Sequence, residues 1–149
     1  RIMKVTKRNV QLTKIFSFDT AHALENYPGK CRHIHGHTYI LHVTVSGEVK
    51  DDKGDPYDGM IIDFTDLKKW VNESVIRHFD HFLLLRKGSE LAKLNYPEWD
   101  RIYLTEYQPS CENMLLDICD RLVKSTPDGL QLKKLKMHET PTAYAEIEL

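Results

Sequence analysis

The chain has 149 residues, a length that suits one domain with a sizeable core. Its 21 basic and 22 acidic side chains nearly cancel to −1, so there is no basic field for a nucleic acid, and no apolar run is long enough to span a membrane. The three cysteines, Cys31, Cys111 and Cys119, are odd in number and widely scattered, which reads as reduced thiols in a cytoplasmic protein rather than a disulfide framework.

The start of the chain, Arg1-Ile2-Met3-Lys4-Val5, lacks the continuous apolar core of a signal peptide. Val10, Leu12, Ile15, Phe16 and Phe18 mark a strand over residues 10–18, which ends at Asp19-Thr20-Ala21-His22. Residues 23–34, with Asn26, Pro28 and Gly29 as breakers, read as a loop. Next comes Cys31-Arg32-His33-Ile34-His35-Gly36-His37-Thr38, which packs three histidines and a thiol into seven residues. On a strand, the side-chain period of two puts His35 and His37 on one face, where both can reach a single ion. Gly36 removes a side chain that would crowd it. A catalytic zinc site takes three protein ligands and keeps one position open, so a third ligand is expected.

From Tyr39 the alternation is clear. Tyr39, Leu41, Val43 and Val45 fall on one face and Ile40, His42, Thr44 and Ser46 on the other, a half-buried strand reaching about Val49. Asp51-Asp52-Lys53-Gly54-Asp55-Pro56 is a polar turn. Residues 63–78 read as a helix with Asp63 as N-cap, Asp66 in the first turn, and Phe64, Leu67, Val71 and Val75 as its apolar stripe. Residues 86–108 carry a weaker pattern, with a short helix expected at 90–94 and a connection around Pro97 and Trp99. Ser110 caps a second helix over 111–124, whose Leu115, Ile118, Cys119 and Leu122 face the core. After the turn Pro127-Asp128-Gly129 the chain closes with a hairpin, Leu135 and Met137 on one strand and Ala145, Ile147 and Leu149 on the other. The order β-β-α-α-β-β predicts an α+β fold: four antiparallel strands with two helices on one face, in one domain over 1–149. The open edges of such a sheet need covering, and symmetric assembly is one solution.

Several pieces match a known family in order and spacing. They are Phe16-Ser17-Phe18-Asp19-Thr20-Ala21-His22; Cys31 with His35-Gly36-His37 after three residues; Gly59-Met60-Ile61-Ile62-Asp63-Phe64 with Asp66-Leu67-Lys68; Asp80-His81; Pro109-Ser110-Cys111-Glu112-Asn113; and Glu139-Thr140. Through them the chain resembles the 6-pyruvoyl-tetrahydropterin synthase and 6-carboxytetrahydropterin synthase family. The three-residue gap after Cys31 looks like the bacterial 6-carboxytetrahydropterin synthases, since the animal 6-pyruvoyl enzymes typically have a longer gap. Phe82-Leu83-Leu84-Leu85 stands where the family often has Leu-Asn, and the segment 86–108 looks longer than usual.

The resemblance implies the tunnelling fold, with subunit sheets joined into a barrel and a homohexamer built as a dimer of trimers. It implies a zinc-dependent lyase acting on a small pterin, 7,8-dihydroneopterin triphosphate, with no nucleic-acid partner. The carboxy branch yields 6-carboxytetrahydropterin, acetaldehyde and triphosphate for 7-deazaguanine (queuosine) biosynthesis. The motif context makes His22, His35 and His37 the zinc ligands, Cys31, Asp80 and His81 the catalytic groups, and Glu139, with Glu112, the substrate-binding carboxylates. A structural zinc site using Cys31 is the rival for the same residues, although such sites usually carry more cysteines at paired short spacings.

The residue types suit that chemistry. Zinc acts as a Lewis acid toward the substrate's adjacent hydroxyls, and neutral imidazoles leave the ion its full positive charge. A thiol titrates near about 8.5, and a nearby cation favours the thiolate, which fits Cys31 as the base. A histidine titrates near neutrality, and Asp80 can fix the tautomer of His81. A carboxylate facing the 2-amino and ring N–H of a pterin accepts two parallel hydrogen bonds, the role expected of Glu139. Two alternatives remain at this point: 6-pyruvoyl synthesis with the same constellation, and a non-catalytic zinc or pterin-binding module.

Overall fold

Two long strands carry the fold. In the computed structural model, which describes residues 8–94 and 97–149, β1 (Asn9–His22) and β2 (His35–Glu48) pair antiparallel over their whole length, from Asn9 opposite Glu48 to His22 opposite His35. Alternation sorts their side chains. Phe16 and Phe18 of β1 and Tyr39, Leu41, Val43 and Val45 of β2 are buried on one face, while Ile15, Ser17 and Asp19 are exposed on the other. Ile15, read as part of the apolar strand pattern, is thus on the open face, and Val10 is exposed as well. The expectations for Arg1-Ile2-Met3-Lys4-Val5 fall outside the described residues.

The helices lie on the buried face. Asp63 accepts from the Thr65 N–H at 2.7 Å and starts α1 (Phe64–Val71), which continues through a π turn at Asn72–Ile76 into the short α2 (Arg77–Phe79). Ser110 Oγ accepts from the Asn113 N–H and starts α3 (Cys111–Ser125). Leu67, Val71 and Val75 meet Met114, Leu115, Ile118 and Leu122 above the sheet in one cluster. Phe64 corrects the expected stripe. It opens the helix beyond the covered area, is 51% exposed, and meets the Lys14 ammonium at 5.9 Å.

The sheet itself differs from expectation. It has six strands in the order β4-β3-β1-β2-β5-β6, not four, and it is mixed rather than wholly antiparallel. β5 (Leu130–Thr140) and β6 (Ala143–Glu148) form the expected hairpin, although the terminal Leu149 is exposed. The added strands are β3 (Phe82–Arg86), parallel to β1, and β4 (Ile102–Thr105), parallel to β3. A short buried parallel strand reads as a plain apolar run, as Phe82-Leu83-Leu84-Leu85 does, and its partner is remote in sequence. The helix expected at 90–94 is a set of turns in which Ser89 O accepts from the Lys93 N–H and Ser89 Oγ from that of Ala92; so short a segment gains too few bonds to nucleate.

β4 is tied to α3 by a polar network. Tyr103 and Tyr107 donate to Asp117 Oδ2, and Arg121 Nε donates to Asp117 Oδ1 at 2.9 Å. Among the described residues no helix is long and apolar enough to cross a membrane.

The two ends of α1 are expected to respond differently to truncation. Leu67→Ala, at a fully buried site, should cost about 2–5 kcal/mol, and Phe64→Ala under ~1 kcal/mol. Chemical denaturation of both variants checks this, and equal losses would restore Phe64 to the core.

Candidate active site

The ladder that builds the core also builds a histidine cluster. His22 ends β1 opposite His35, which opens β2, and His37 follows on the same face opposite Thr20. One ring nitrogen from each converges, all within 4.8 Å of one another. Two of the rings are held from behind. His22 Nδ1 lies 2.6 Å from the Pro109 carbonyl and His35 Nδ1 lies 2.7 Å from the His33 carbonyl. Each Nδ1–H donates to its carbonyl, so each Nε2 carries a lone pair into the cluster.

Those two Nε2 atoms stand 3.1 Å apart. Two lone pairs at that distance repel, and a shared cation turns the repulsion into ligation. Nitrogens ~2.05 Å from a tetrahedral zinc would sit about 3.3 Å apart, close to the observed separation. Burial, the largest influence, holds His22 below its ordinary value of 6.5 and keeps the imidazole neutral, as ligation needs. The three residues fit a zinc ion with an open position.

Glu139 approaches from β5. It is the extra residue of a bulge against β6, since His138 pairs with Tyr144 and Thr140 with Ala143. Its Oε1 lies 3.6 Å from Nε2 of both His22 and His37 and accepts from the Tyr39 hydroxyl at 3.4 Å. This carboxylate faces the histidines and adds a further electron-pair donor beside their ring nitrogens.

Asp80 and His81 form a second cluster with Asp19. His81 Nδ1 lies 3.0 Å from Asp80 Oδ1, which also accepts from the Asp19 N–H at 3.0 Å. Thr38 donates to Asp19 Oδ1 at 2.6 Å. Asp19 and Thr38 pair across the ladder on the open face, opposite in sense to His22, His35 and His37. A cavity of about 600 Å³ lies there, with Asp19, Gly36, Thr38, His81 and Arg101 in its wall. The dyad and the histidine cluster of one chain are therefore separated by the backbone of β1 and β2.

Gly36 also belongs to the open face. A Cβ there would meet the Thr20 carbonyl at 3.3 Å and Ala21 at 3.7 Å. Its missing side chain relieves the strand contact behind the histidines, and not crowding at the ion as expected from sequence.

Cys31 sits half-buried in a 3₁₀ turn, Lys30–Arg32, where its carbonyl accepts from the Leu24 N–H at 2.9 Å. Its sulfur is outside the converging ligand set, which is made of histidines alone. Glu112 is exposed in the first turn of α3. It and Glu139 both bear on the Cys111 thiol, which burial first and these carboxylates second push up to about 12. Cys111 stays a protonated core thiol that contacts the Met137 carbonyl. Sequence reasoning missed Asp19, Thr38, Arg101 and the Pro109 carbonyl as members of these clusters. Asp19, Thr38 and Pro109 lie inside the quoted stretches; Arg101 carried no signal.

The sequence and the fold are matched by known proteins. A family profile described as 6-pyruvoyl tetrahydropterin synthase matches residues 11–149. The chain belongs to that family. Among curated relatives, the 6-carboxy-5,6,7,8-tetrahydropterin synthase of Haemophilus influenzae is 31% identical over 142 residues, covering 93% of this chain and 98% of its own. The solved 6-pyruvoyl tetrahydropterin synthase of Caenorhabditis elegans is 26% identical with a TM-score of 0.67, covering 97% of this chain and 99% of that one. An uncharacterized protein of Wolinella succinogenes shares the fold, with a TM-score of 0.74 at 17% identity, covering 94% and 98% of the two chains.

Metal content provides the direct check of the cluster. Protein purified with zinc should carry about one ion per chain, and His35→Ala should lose most of it. Undiminished zinc in that variant would place the ion elsewhere.

Proposed function

We propose that this protein is a zinc-dependent lyase of the 6-carboxytetrahydropterin synthase type. It converts 7,8-dihydroneopterin triphosphate to 6-carboxytetrahydropterin, with release of acetaldehyde and triphosphate, in 7-deazaguanine (queuosine) biosynthesis in the cytoplasm. The observation that carries the reading is the convergence of one ring nitrogen from each of three imidazoles, two of them oriented by backbone carbonyls, at the tip of the ladder. The curated relatives named for this activity support the branch.

In this reading His22, His35 and His37 would hold the ion, which would supply Lewis-acid polarisation of the substrate's hydroxyl-bearing side chain. Cys31, as a thiolate, takes a proton from the substrate's side chain. His81, its Nδ1 tied to Asp80, presents Nε2 as the second proton-transfer group while the side chain breaks. Glu139 turns from the histidines to accept the pterin 2-amino and ring N–H, and Glu112 stands at the same end of the site.

The 6-pyruvoyl reaction is the second reading, favoured by the likeness to the Caenorhabditis elegans enzyme. Mass analysis of products from dihydroneopterin triphosphate separates the two: acetaldehyde with the carboxy pterin supports the first, pyruvoyl pterin the second. No turnover at all would favour a binding module. In the same assay Cys31→Ala should keep close to full zinc and lose ~10²–10⁴-fold in rate, with Cys31→Ser nearly as poor. Lost zinc, or full turnover, would sink the base assignment and revive the structural-zinc reading.

The opposite-face placement of the dyad supports sites shared between copies, in a homohexamer of two trimeric rings. Each site then takes its histidines and Cys31 from one chain and Asp80–His81 from the next. Mixing inactive Cys31→Ala and His81→Ala subunits after dissociation should restore part of the turnover, because some mixed sites are intact. A mixture that stays inactive after verified subunit exchange would contradict shared sites.

A further inference from the structure

His81 has a backbone φ of 62°, in the left-handed region that residues with a side chain rarely adopt. Something must hold it there. Its own N–H donates to the Asp19 carbonyl at 2.6 Å. The second restraint comes from the connection around Pro97 and Trp99, where sequence reading named no site residue. Arg101 Nη2 donates to the Asp80 carbonyl at 2.8 Å, and Arg101 Nε donates to the His81 carbonyl at 3.2 Å.

In an extended chain, successive carbonyls point to opposite sides. One planar guanidinium can bridge the carbonyls of residues 80 and 81 only when the backbone turns between them. Arg101 therefore binds the turned form of His81 and not the extended one. A lysine, with a single compact donor group, lacks this fork.

Arg101 is itself well placed for the task. Its guanidinium carbon lies 4.3 Å from the centroid of the Phe82 ring, and its carbonyl accepts from the Leu83 N–H at 2.9 Å. It stands directly before β4, whose Tyr103 is anchored to Asp117 of α3 at 2.7 Å. The chain of contacts runs from the helix core through β4 and Arg101 to the dyad.

We propose that Arg101 is the positioning residue of the Asp80–His81 pair: its two hydrogen bonds hold His81 in the left-handed turn that brings Nδ1 onto Asp80 and aims Nε2 outward. The kinetic part of this proposal rests on the function proposed above; the geometric part does not. Without Arg101 the turn relaxes, the Nδ1–Asp80 contact loosens, and the ring loses its single tautomer.

The test uses full-length, zinc-loaded Arg101→Gln and Arg101→Lys. Arg101 is exposed, so both substitutions leave the core intact. A misplacement of about 1 Å can cost ~10²-fold in rate, so kcat should fall roughly 10–100-fold in both variants while KM stays within about twofold. Zinc content and melting temperature should match the parent. In ¹⁵N spectra of the histidine rings, the His81 signals should pass from one tautomer, protonated at Nδ1, to a mixture.

A rise in KM with kcat unchanged would make Arg101 a substrate-binding cation and overturn the proposal. Unaltered His81 ring signals in Arg101→Gln would overturn it as well, as would full kcat in Arg101→Lys. If the parent shows no turnover on dihydroneopterin triphosphate, the functional reading fails; the shift of the His81 signals in Arg101→Gln then still supports the positioning role.

Discussion

The register of β1 on β2 is the constraint on which the rest depends. Fourteen residues of each strand pair without interruption, and the pairing puts His22 directly opposite His35. A slip of one residue would send every side chain of a strand to the other face. Phe16, Phe18, Tyr39, Leu41, Val43 and Val45 forbid the slip, because each is buried under the helices in the observed register. The histidines sit at the end of the same face and inherit their alignment from the core below them. The geometry of the histidine cluster is thus a by-product of hydrophobic alternation, and substitutions in the middle of the ladder act on the cluster through register.

The two polar clusters are different electrostatic environments on the two sides of that ladder. The histidine cluster is desolvated on the side of His22, which is 2% exposed and whose imidazole is kept neutral by burial. In such surroundings a lone-pair contact at 3.1 Å is costly without a cation, and Glu139, which accepts from the Tyr39 hydroxyl, adds a negative charge that favours a cation there. The Asp80–His81 pair is solvated, with His81 68% exposed, so its order comes from hydrogen bonds to backbone rather than from burial. A preorganised, partly buried histidine cluster and an exposed, hydrogen-bonded dyad are complementary halves of the proposed site. They meet when one copy's open face lies against another copy's ladder tip, the arrangement proposed here for the assembled protein.

Much of this was legible in the sequence because it is periodic or local. Alternation in Tyr39, Leu41, Val43 and Val45 marks a strand, and the same period applied to His35 and His37 puts both on one side. Asp63 and Ser110 announce helix starts because a side-chain oxygen two or three residues from a free N–H is a local device. The motif set also carried the family, now matched over residues 11–149.

What stayed hidden depends on contacts between remote parts of the chain. β3 and β4 pair in parallel with strands far from them in sequence, so a run such as Leu83-Leu84-Leu85 has no period to distinguish it from a buried helix. Phe64 obeys the helical stripe but falls where the sheet offers no surface, and Gly36 serves the face away from the ion. Arg101 bonds two carbonyls about twenty residues away, and backbone carbonyls look alike in every sequence. The sequence by itself determined which residues are apolar, which are ligands by type, and which strand faces they share, since these follow from side-chain chemistry and the backbone's fixed periods. Only the tertiary structure decided that the histidines and the His81 dyad lie on opposite sides of one ladder, because that depends on how β3 packs beside β1, a choice made by long-range burial and hydrogen bonding rather than by any local preference.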